Sequence, residues 1–293
     1  MNATEYRIGV DIGSVSIKIA LLAPSEHTFA FSNYVSERPE YFQFCDEIDI
    51  SSDQKSVLLL SKYRRIKGEP VLAAFDLLGQ FLRDLEPNER VKISITGSGG
   101  KALAKVLSVS FVNEFQSIAH GISLLQPDAR TVLEIGGDTS KYIKLEPDPS
   151  NGMLTIADYE KNGDCAAGTG SFMDQQASRL LYDIEDVGDV VTGVEKAAAI
   201  AGRCSVFAKS DMIHAQQKGF KPPEILKGLC EAVVRNFRGT ITKGKDIIPP
   251  VVFIGGVAAN KGVAQAVQNV FKLDDSQMII PTYFKWIEAI GAA

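Results

Sequence analysis

Cysteine is scarce in this 293-residue chain, with four residues at positions 45, 165, 204 and 230. So few thiols, so widely spread, exclude a disulfide scaffold. Long apolar runs are missing as well. Val57–Leu60 and Val251–Ile254 are typical of the longest, far short of the roughly 20 residues that a membrane-spanning helix requires. The start, MNATEYRIGVDIGS, lacks a basic segment followed by an apolar stretch, so no secretory signal is expected. The expectation is therefore a cytoplasmic, reducing compartment, free thiols and no membrane association. Positive charge is not in excess, because the formal net charge is −5, and nucleic-acid binding normally needs a basic face. Neither G-x-x-x-x-G-K-[ST] nor a G-x-G-x-x-G after a strand occurs, which sets aside P-loop and Rossmann nucleotide sites. Cys165, Cys204, Cys230 and His214 show none of the close C-x-x-C or H-x-x-H pairs of structural zinc. What remains is the composition of a globular protein, 45% apolar and 23% charged, of a length that suggests about two domains.

The chain carries an internal echo. GVDIGSVSIKIALL (9–22) aligns with VLEIGGDTSKYIKL (132–145), 123 residues further on. Ile12, Gly13, Lys18 and Leu22 meet Ile135, Gly136, Lys141 and Leu145, while Asp11 meets Glu134 and Ser16 meets Thr139. Acid, glycine, hydroxyl and lysine recur in one register, which points to two related α/β halves. Each half opens with a strand, a tight glycine turn and a second strand. Between the hairpins, residues 28–66 alternate apolar and polar in short stretches (FAFSNYV, SVLLLSKY), which predicts further antiparallel strand. Helices are expected over 70–83, 113–125, 170–182, 205–217, 222–243 and 260–271, with strands at 91–97 and 250–256. The helix from Trp286 stops at Ile290-Gly291-Ala292-Ala293, an ending that suggests a chain cut from a longer one.

The hairpin motifs have a chemical logic. Asp11 at a strand end can hold a Mg2+-bound water, since Mg2+ prefers oxygen ligands and keeps part of its hydration. Glu134 is its counterpart, and the two are the candidate catalytic acids. The turn Gly13-Ser14-Val15 offers backbone N–H groups to phosphate with no side chain at the glycine. Ser14 and Ser16 add hydroxyls and Lys18 adds charge. Gly136, Gly137 and Asp138 repeat this arrangement. A third element, Gly255-Gly256-Val257, follows a strand and precedes a helix, where base and ribose could lie on bare backbone. This three-part pattern resembles the acetate kinase, sugar kinase, Hsp70 and actin superfamily. The resemblance implies an α/β fold of two ribonuclease-H-like domains with ATP or ADP and Mg2+ in a cleft between them. The expected halves are residues 1–112 with 281–293 returning, and residues 113–280.

Two cysteines stand apart from the others. Cys165 lies in NGDCAAGTGSF (162–172), just before a glycine turn and a helix; Cys204 opens the helix of CSVFAKSDMI. A helix N-terminus carries roughly half a positive charge, which favours the thiolate needed for metal ligation. Cys45 and Cys230 read as small buried apolar residues. CAAGTG, CSVFAKSDMI and GGVAANKGV closely resemble the ATP-dependent activators of 2-hydroxyacyl-CoA dehydratases and the ATPase subunits of benzoyl-CoA reductases. The resemblance runs from Ile8 to Ala293 and is weakest over 24–90. It implies an ATPase in which two protomers share one [4Fe–4S] cluster, each supplying two cysteines, here Cys165 and Cys204. Four thiolates and a two-fold interface agree in number. It further implies a low-potential electron passed to a partner reductase or dehydratase, with a ferredoxin or flavodoxin as donor.

The chain also departs from that family. The usual second hairpin is D-I-G-G-Q-D, whereas Glu134-Ile135-Gly136-Gly137-Asp138-Thr139 stands here. Lys285 and Glu288 occupy places usually held by glutamine and glycine. Segment 28–66 looks more like the long, multi-domain members, in which a second such domain would make the dimer a pseudo-dimer. The rival reading is a sugar or small-molecule kinase of the same superfamily without a cluster. It needs a general base, yet Asp76 and Asp84 sit on a predicted helix as solvated surface.

Overall fold

The computed structural model describes residues 5–51, 54–66, 68–83, 90–163, 168–201 and 204–293. In chain order the first elements are β1 (Glu5–Ile12), β2 (Ser16–Pro24), α1 (Thr28–Glu37), β3 (Phe42–Ser51), β4 (Gln54–Ser61) and β5 (Arg64–Arg65). They are followed by α2 (Pro70–Leu82), β6 (Arg90–Thr96), α3 (Gly100–Leu107), β7 (Ser110–Phe111) and α4 (Glu114–Leu125). Next come β8 (Thr131–Ile135), β9 (Ser140–Pro147), β10 (Leu154–Lys161), α5 (Gly170–Arg179), α6 (Val187–Val190), α7 (Ser205–Gln217) and α8 (Pro222–Phe237). The chain closes with β11 (Val251–Ile254), α9 (Lys261–Phe271), β12 (Met278–Ile279) and α10 (Ile287–Ala292). Two compact units result: 1–127 with 147–156 and 285–293, and 128–146 with 157–284.

The first unit is built on a sheet ordered β3-β4-β2-β1-β6-β7, with β5 paired to β2. Its inner strands are apolar almost throughout, with Ile17, Ile19, Val57 and Leu58 fully buried. A strand covered on both faces reads as a continuous apolar run rather than an alternating one. This explains why the longest such runs in the sequence are strands; each large aliphatic side chain buried there contributes roughly 1.5–3 kcal/mol. The FAFSNYV stretch, expected as strand, is the helix α1 instead. Phe31, Tyr34 and Val35 share one helical face and pack on this core, and the Tyr34 hydroxyl donates to the Gln80 carbonyl at 2.7 Å. The helix α4 belongs to this unit and packs with α10, which also lies against β1. Contact there is so close that a Cβ at Gly9 would sit 1.9 Å from the Ala289 carbonyl oxygen. The sole tryptophan, Trp286, is buried and donates its indole N–H to the Ser61 carbonyl at 3.0 Å.

The second unit has the sheet β10-β9-β8-β11-β12. In it β8 pairs antiparallel with β9 and parallel with β11. The same relation holds in the first unit, where β1 pairs antiparallel with β2 and parallel with β6. The 123-residue sequence echo is therefore an echo of topology. The core of this unit gathers α8, whose Ile225, Leu229, Val233 and Phe237 recur at helical spacing and are buried, together with Leu133, Phe253 and Val263.

Candidate functional site

The two hairpins carry the same buried device. In the first, Asp11 lies opposite Lys18, and the two form an ion pair with side chains 2% and 13% exposed. In the second, Glu134 lies opposite Lys141, with Nζ–Oε2 3.1 Å and side chains 6% and 2% exposed. Cross-strand neighbours in an antiparallel pair point to one face, so the register seen in the sequence translates directly into contact. Burial alone would lower the Lys18 pKa, but the charges of Asp11 and Glu288 and the hydrogen bond to Asp11 outweigh it and hold the ammonium above its usual range. A protonated lysine favours an ionised carboxylate at the strand end. That is the form able to bind a hydrated cation or take a proton from water.

Each hairpin closes with the same turn hydrogen bond, Gly13 N–H to the Ser16 carbonyl at 3.0 Å and Gly136 N–H to the Thr139 carbonyl at 2.8 Å. Ser14 and Asp138 are exposed at the two turns, Gly13, Val15, Gly136 and Gly137 half-buried, and Ser16 buried. The second turn sits among bare backbone. A Cβ at Gly136 would lie 2.5 Å from Glu134 Oε1, and one at Gly170 would lie 3.0 Å from the Gly136 carbonyl oxygen. Gly255, at φ +92°, would bring a Cβ to 2.4 Å from the Ile135 carbonyl and 3.0 Å from Glu134 Oε1. Val257 Cγ2 borders Gly170, at 3.1 Å from where its Cβ would be. The structure thus brings Gly255 and Val257 to the second hairpin, with Gly256 exposed between them.

A twin of Gly255 escapes notice in the sequence. Gly97, after β6, has φ +90°, and a Cβ on it would stand 2.4 Å from the Ile12 carbonyl and 2.5 Å from Asp11 Oδ1. Each acid is thus roofed by a positive-φ glycine from the neighbouring parallel strand. The signal was available, because ITG (95–97) and FIG (253–255) both end a buried strand in glycine. Their flanks differ too much to align by eye. Asn162 and Ser140 carry no signal of their own in the sequence; their hydrogen bonds tie the second turn to the chain on either side of the Cys165 segment.

The cysteines separate as follows. Cys204 is half-buried and caps the start of α7, its carbonyl accepting from Ala208 N–H at 2.9 Å. Beside it Val206 and Phe207 are 67% and 65% exposed. Cys165 lies outside the described residues. Cys230 is buried against Asn260, and burial pushes its thiol up to about 12; Cys45 is half-buried and its thiol is raised by burial too. Neither offers a thiolate. Among the described residues no group of three or more His, Cys, Asp or Glu could hold a metal ion, so Cys204 fits a metal only as one ligand of a larger set. The acids and glycine turns, by contrast, fit a Mg2+–nucleotide: oxygen donors at strand ends and, at Gly97, Gly136 and Gly255, backbone too closely approached for a Cβ. Asp76 is on α2, half exposed and paired with Arg64. No helix of the described residues is long and apolar enough to cross a membrane.

Residues 8–293 match the pattern of the BadF/BadG/BcrA/BcrD ATPase family. The chain belongs to that family. Its relatives include the 2-hydroxyisocaproyl-CoA dehydratase activator of Clostridioides difficile, 26% identical over 98% of this chain and 93% of that protein. The (R)-2-hydroxyglutaryl-CoA dehydratase activating ATPase of Acidaminococcus fermentans is 34% identical over 59% of this chain and 64% of its own length. Among solved structures, the activator of the 2-hydroxyisocaproyl-CoA dehydratase from Clostridium difficile with bound ADPNP superposes with TM-score 0.72. That match has 24% identity and covers 98% of this chain and 92% of the other. The fold is accordingly the two-unit α/β arrangement of actin/Hsp70-like ATPases.

Proposed function

We propose that this BadF-type chain hydrolyses ATP to drive a low-potential electron into a partner dehydratase or reductase. The observation that carries the reading is the duplicated acid–lysine hairpin in a chain of this family. The named relatives activate 2-hydroxyacyl-CoA dehydratases, and one relative's structure holds ADPNP. Asp11 and Glu134 are each the acid that would hold a hydrated Mg2+ or orient and deprotonate the attacking water at its own hairpin. In the turns Gly13–Val15 and Gly136–Asp138 the first glycine's N–H closes the turn, the N–H groups of Ser14, Val15, Gly137 and Asp138 face phosphate oxygens, and Gly255–Val257 receives base and ribose. Lys18 and Lys141 pair with the two acids from within the sheet. Ser14, at the exposed turn, is placed to donate to phosphate; Ser16, being buried, supports the turn through its carbonyl.

Cys165 and Cys204 supply two thiolates, and a second copy, or a second such domain in a longer protein, supplies the others. When bound, the [4Fe–4S] cluster contributes one-electron chemistry at low potential. The exposed Val206 and Phe207 beside Cys204 support a covered surface at that point, since apolar side chains clustered at the surface mark contacts. A ferredoxin or flavodoxin is the proposed donor.

Anaerobic iron and acid-labile sulfide analysis with an absorbance spectrum tests the cluster. About two iron atoms per chain are expected, and a colourless, iron-free protein after anaerobic reconstitution refutes it. Phosphoryl transfer to sugars well above the rate of hydrolysis would favour the kinase reading instead.

A further inference from the structure

The second hairpin's turn is hydrogen-bonded on both sides to the segment that carries Cys165. On one side Asn162 spans the turn. Its side-chain carbonyl accepts from Ser140 N–H at 2.9 Å, its side-chain amide donates to the Asp138 carbonyl at 3.0 Å, and its backbone N–H donates to the Ser140 carbonyl at 3.0 Å. On the other side the Ser140 hydroxyl donates to the Gly168 carbonyl at 3.0 Å. Gly170 and Ser171 N–H groups donate to the Gly136 and Gly137 carbonyls, each at 2.8 Å. Asn162 on one side and Gly168, Gly170 and Ser171 on the other therefore belong to one hydrogen-bonded frame whose other member is the glycine turn. Ser140 is fully buried, and its N–H, carbonyl and hydroxyl are all bonded within this frame, so displacement of the turn cannot be absorbed by solvent at that point.

We propose that Asn162, seconded by Ser140, is a positioning residue that transmits the state of the nucleotide at Gly136–Asp138 to the cysteine segment. The proposal rests on the nucleotide reading above and adds the side chains through which it acts. Asn162 touches neither nucleotide nor metal in this scheme. It converts movement of a turn carbonyl and a turn N–H into movement of the chain three residues ahead of Cys165. The amide orientation follows from the Ser140 N–H, which can only donate.

The test is hydrogen–deuterium exchange on the full chain over residues 157–173, with and without Mg2+ and ADPNP, beside a direct measurement of ADPNP affinity. In the parent protein ADPNP is expected to slow exchange at this segment roughly tenfold, the scale of two ordinary hydrogen bonds. In Asn162→Ala the affinity stays within about threefold while the slowing falls below about twofold. Asn162→Asp keeps the acceptor for Ser140 N–H but not the donor to Asp138, and should retain part of the response. If Asn162→Ala does not fold, Ser140→Ala, which removes only the link to Gly168, carries the test, and a reduced response is again expected.

A parent-like response in Asn162→Ala, or in Ser140→Ala where that variant carries the test, overturns the proposal. So does a parent protein that binds ADPNP without any change over 157–173; the nucleotide reading would then stand and the coupling fall. A parent protein that binds no ADPNP removes the nucleotide reading itself and the coupling with it. The rate at which a chelator strips iron from the loaded protein, with and without ADPNP, gives an independent readout and should lose its nucleotide dependence in the same variant.

Discussion

Replacing Lys141 by methionine should be among the most damaging single changes in the second unit. Lys141 is 1% exposed and its ammonium lies 3.1 Å from Glu134 Oε2 and 3.4 Å from Thr139 Oγ1. Methionine fills similar volume but leaves the Glu134 carboxylate, 4% exposed as a residue, without its cation. Removing one member of a buried pair costs about 3–5 kcal/mol, because the remaining charge stays buried without its counter-charge. For a unit of roughly 150 residues, each kcal/mol moves the melting temperature by about 2–4 °C, so a fall of about 10 °C is expected. Pairing it with Glu134→Leu removes the stranded charge, and replacing a buried ion pair by apolar residues is often close to neutral. The double variant should therefore recover most of the loss. Differential scanning calorimetry on the parent, both single variants and the double completes the cycle, in which neighbours in direct contact are non-additive. A Lys141→Met transition within about 2 °C of the parent, or a double variant no better than the single, would refute the claim that this pair is desolvated and mutually dependent.

Three further outcomes follow from other parts of the structure. Gly255→Ala should destabilise by at least about 2 kcal/mol, since a positive-φ position and a Cβ 2.4 Å from the Ile135 carbonyl cannot both be accommodated. Gly163→Ala, with nothing within 4 Å, is the neutral control, and thermal melts compare the two. At pH 8 the Cys230 thiol, pushed up to about 12, is only about one part in ten thousand thiolate. An aromatic disulfide reagent should leave it unreacted in the native chain, with reactivity rising as pH approaches 12 and appearing at once on denaturation. Cys204→Ser should remove iron while leaving the melting temperature of the iron-free protein within about 2 °C of the iron-free parent, because the residue is a half-buried helix cap whose carbonyl, not its thiol, holds the helix start. A normal iron content in that variant excludes Cys204 as a ligand.

What the sequence determined by itself was local and periodic. The acid, glycine and lysine of each hairpin lie within eight residues, so a two-residue period and an antiparallel register suffice to set Asp11 opposite Lys18 and Glu134 opposite Lys141. Helices such as α8 announced themselves through apolar spacing. Tertiary structure decided what depends on partners distant in the chain. Whether FAFSNYV becomes strand or helix turned on Phe31, Tyr34 and Val35 finding a core to cover, which short-range alternation does not report. Gly97 gains its meaning only because β6 returns beside β1, just as Gly255 does because β11 lies beside β8. The separation of Cys230 from Cys204 likewise rests on what surrounds each sulfur. Asn162 reads in sequence as one more loop residue, and it becomes a bridge only when β9 and the segment after β10 bring both sides of the turn within reach of a single amide.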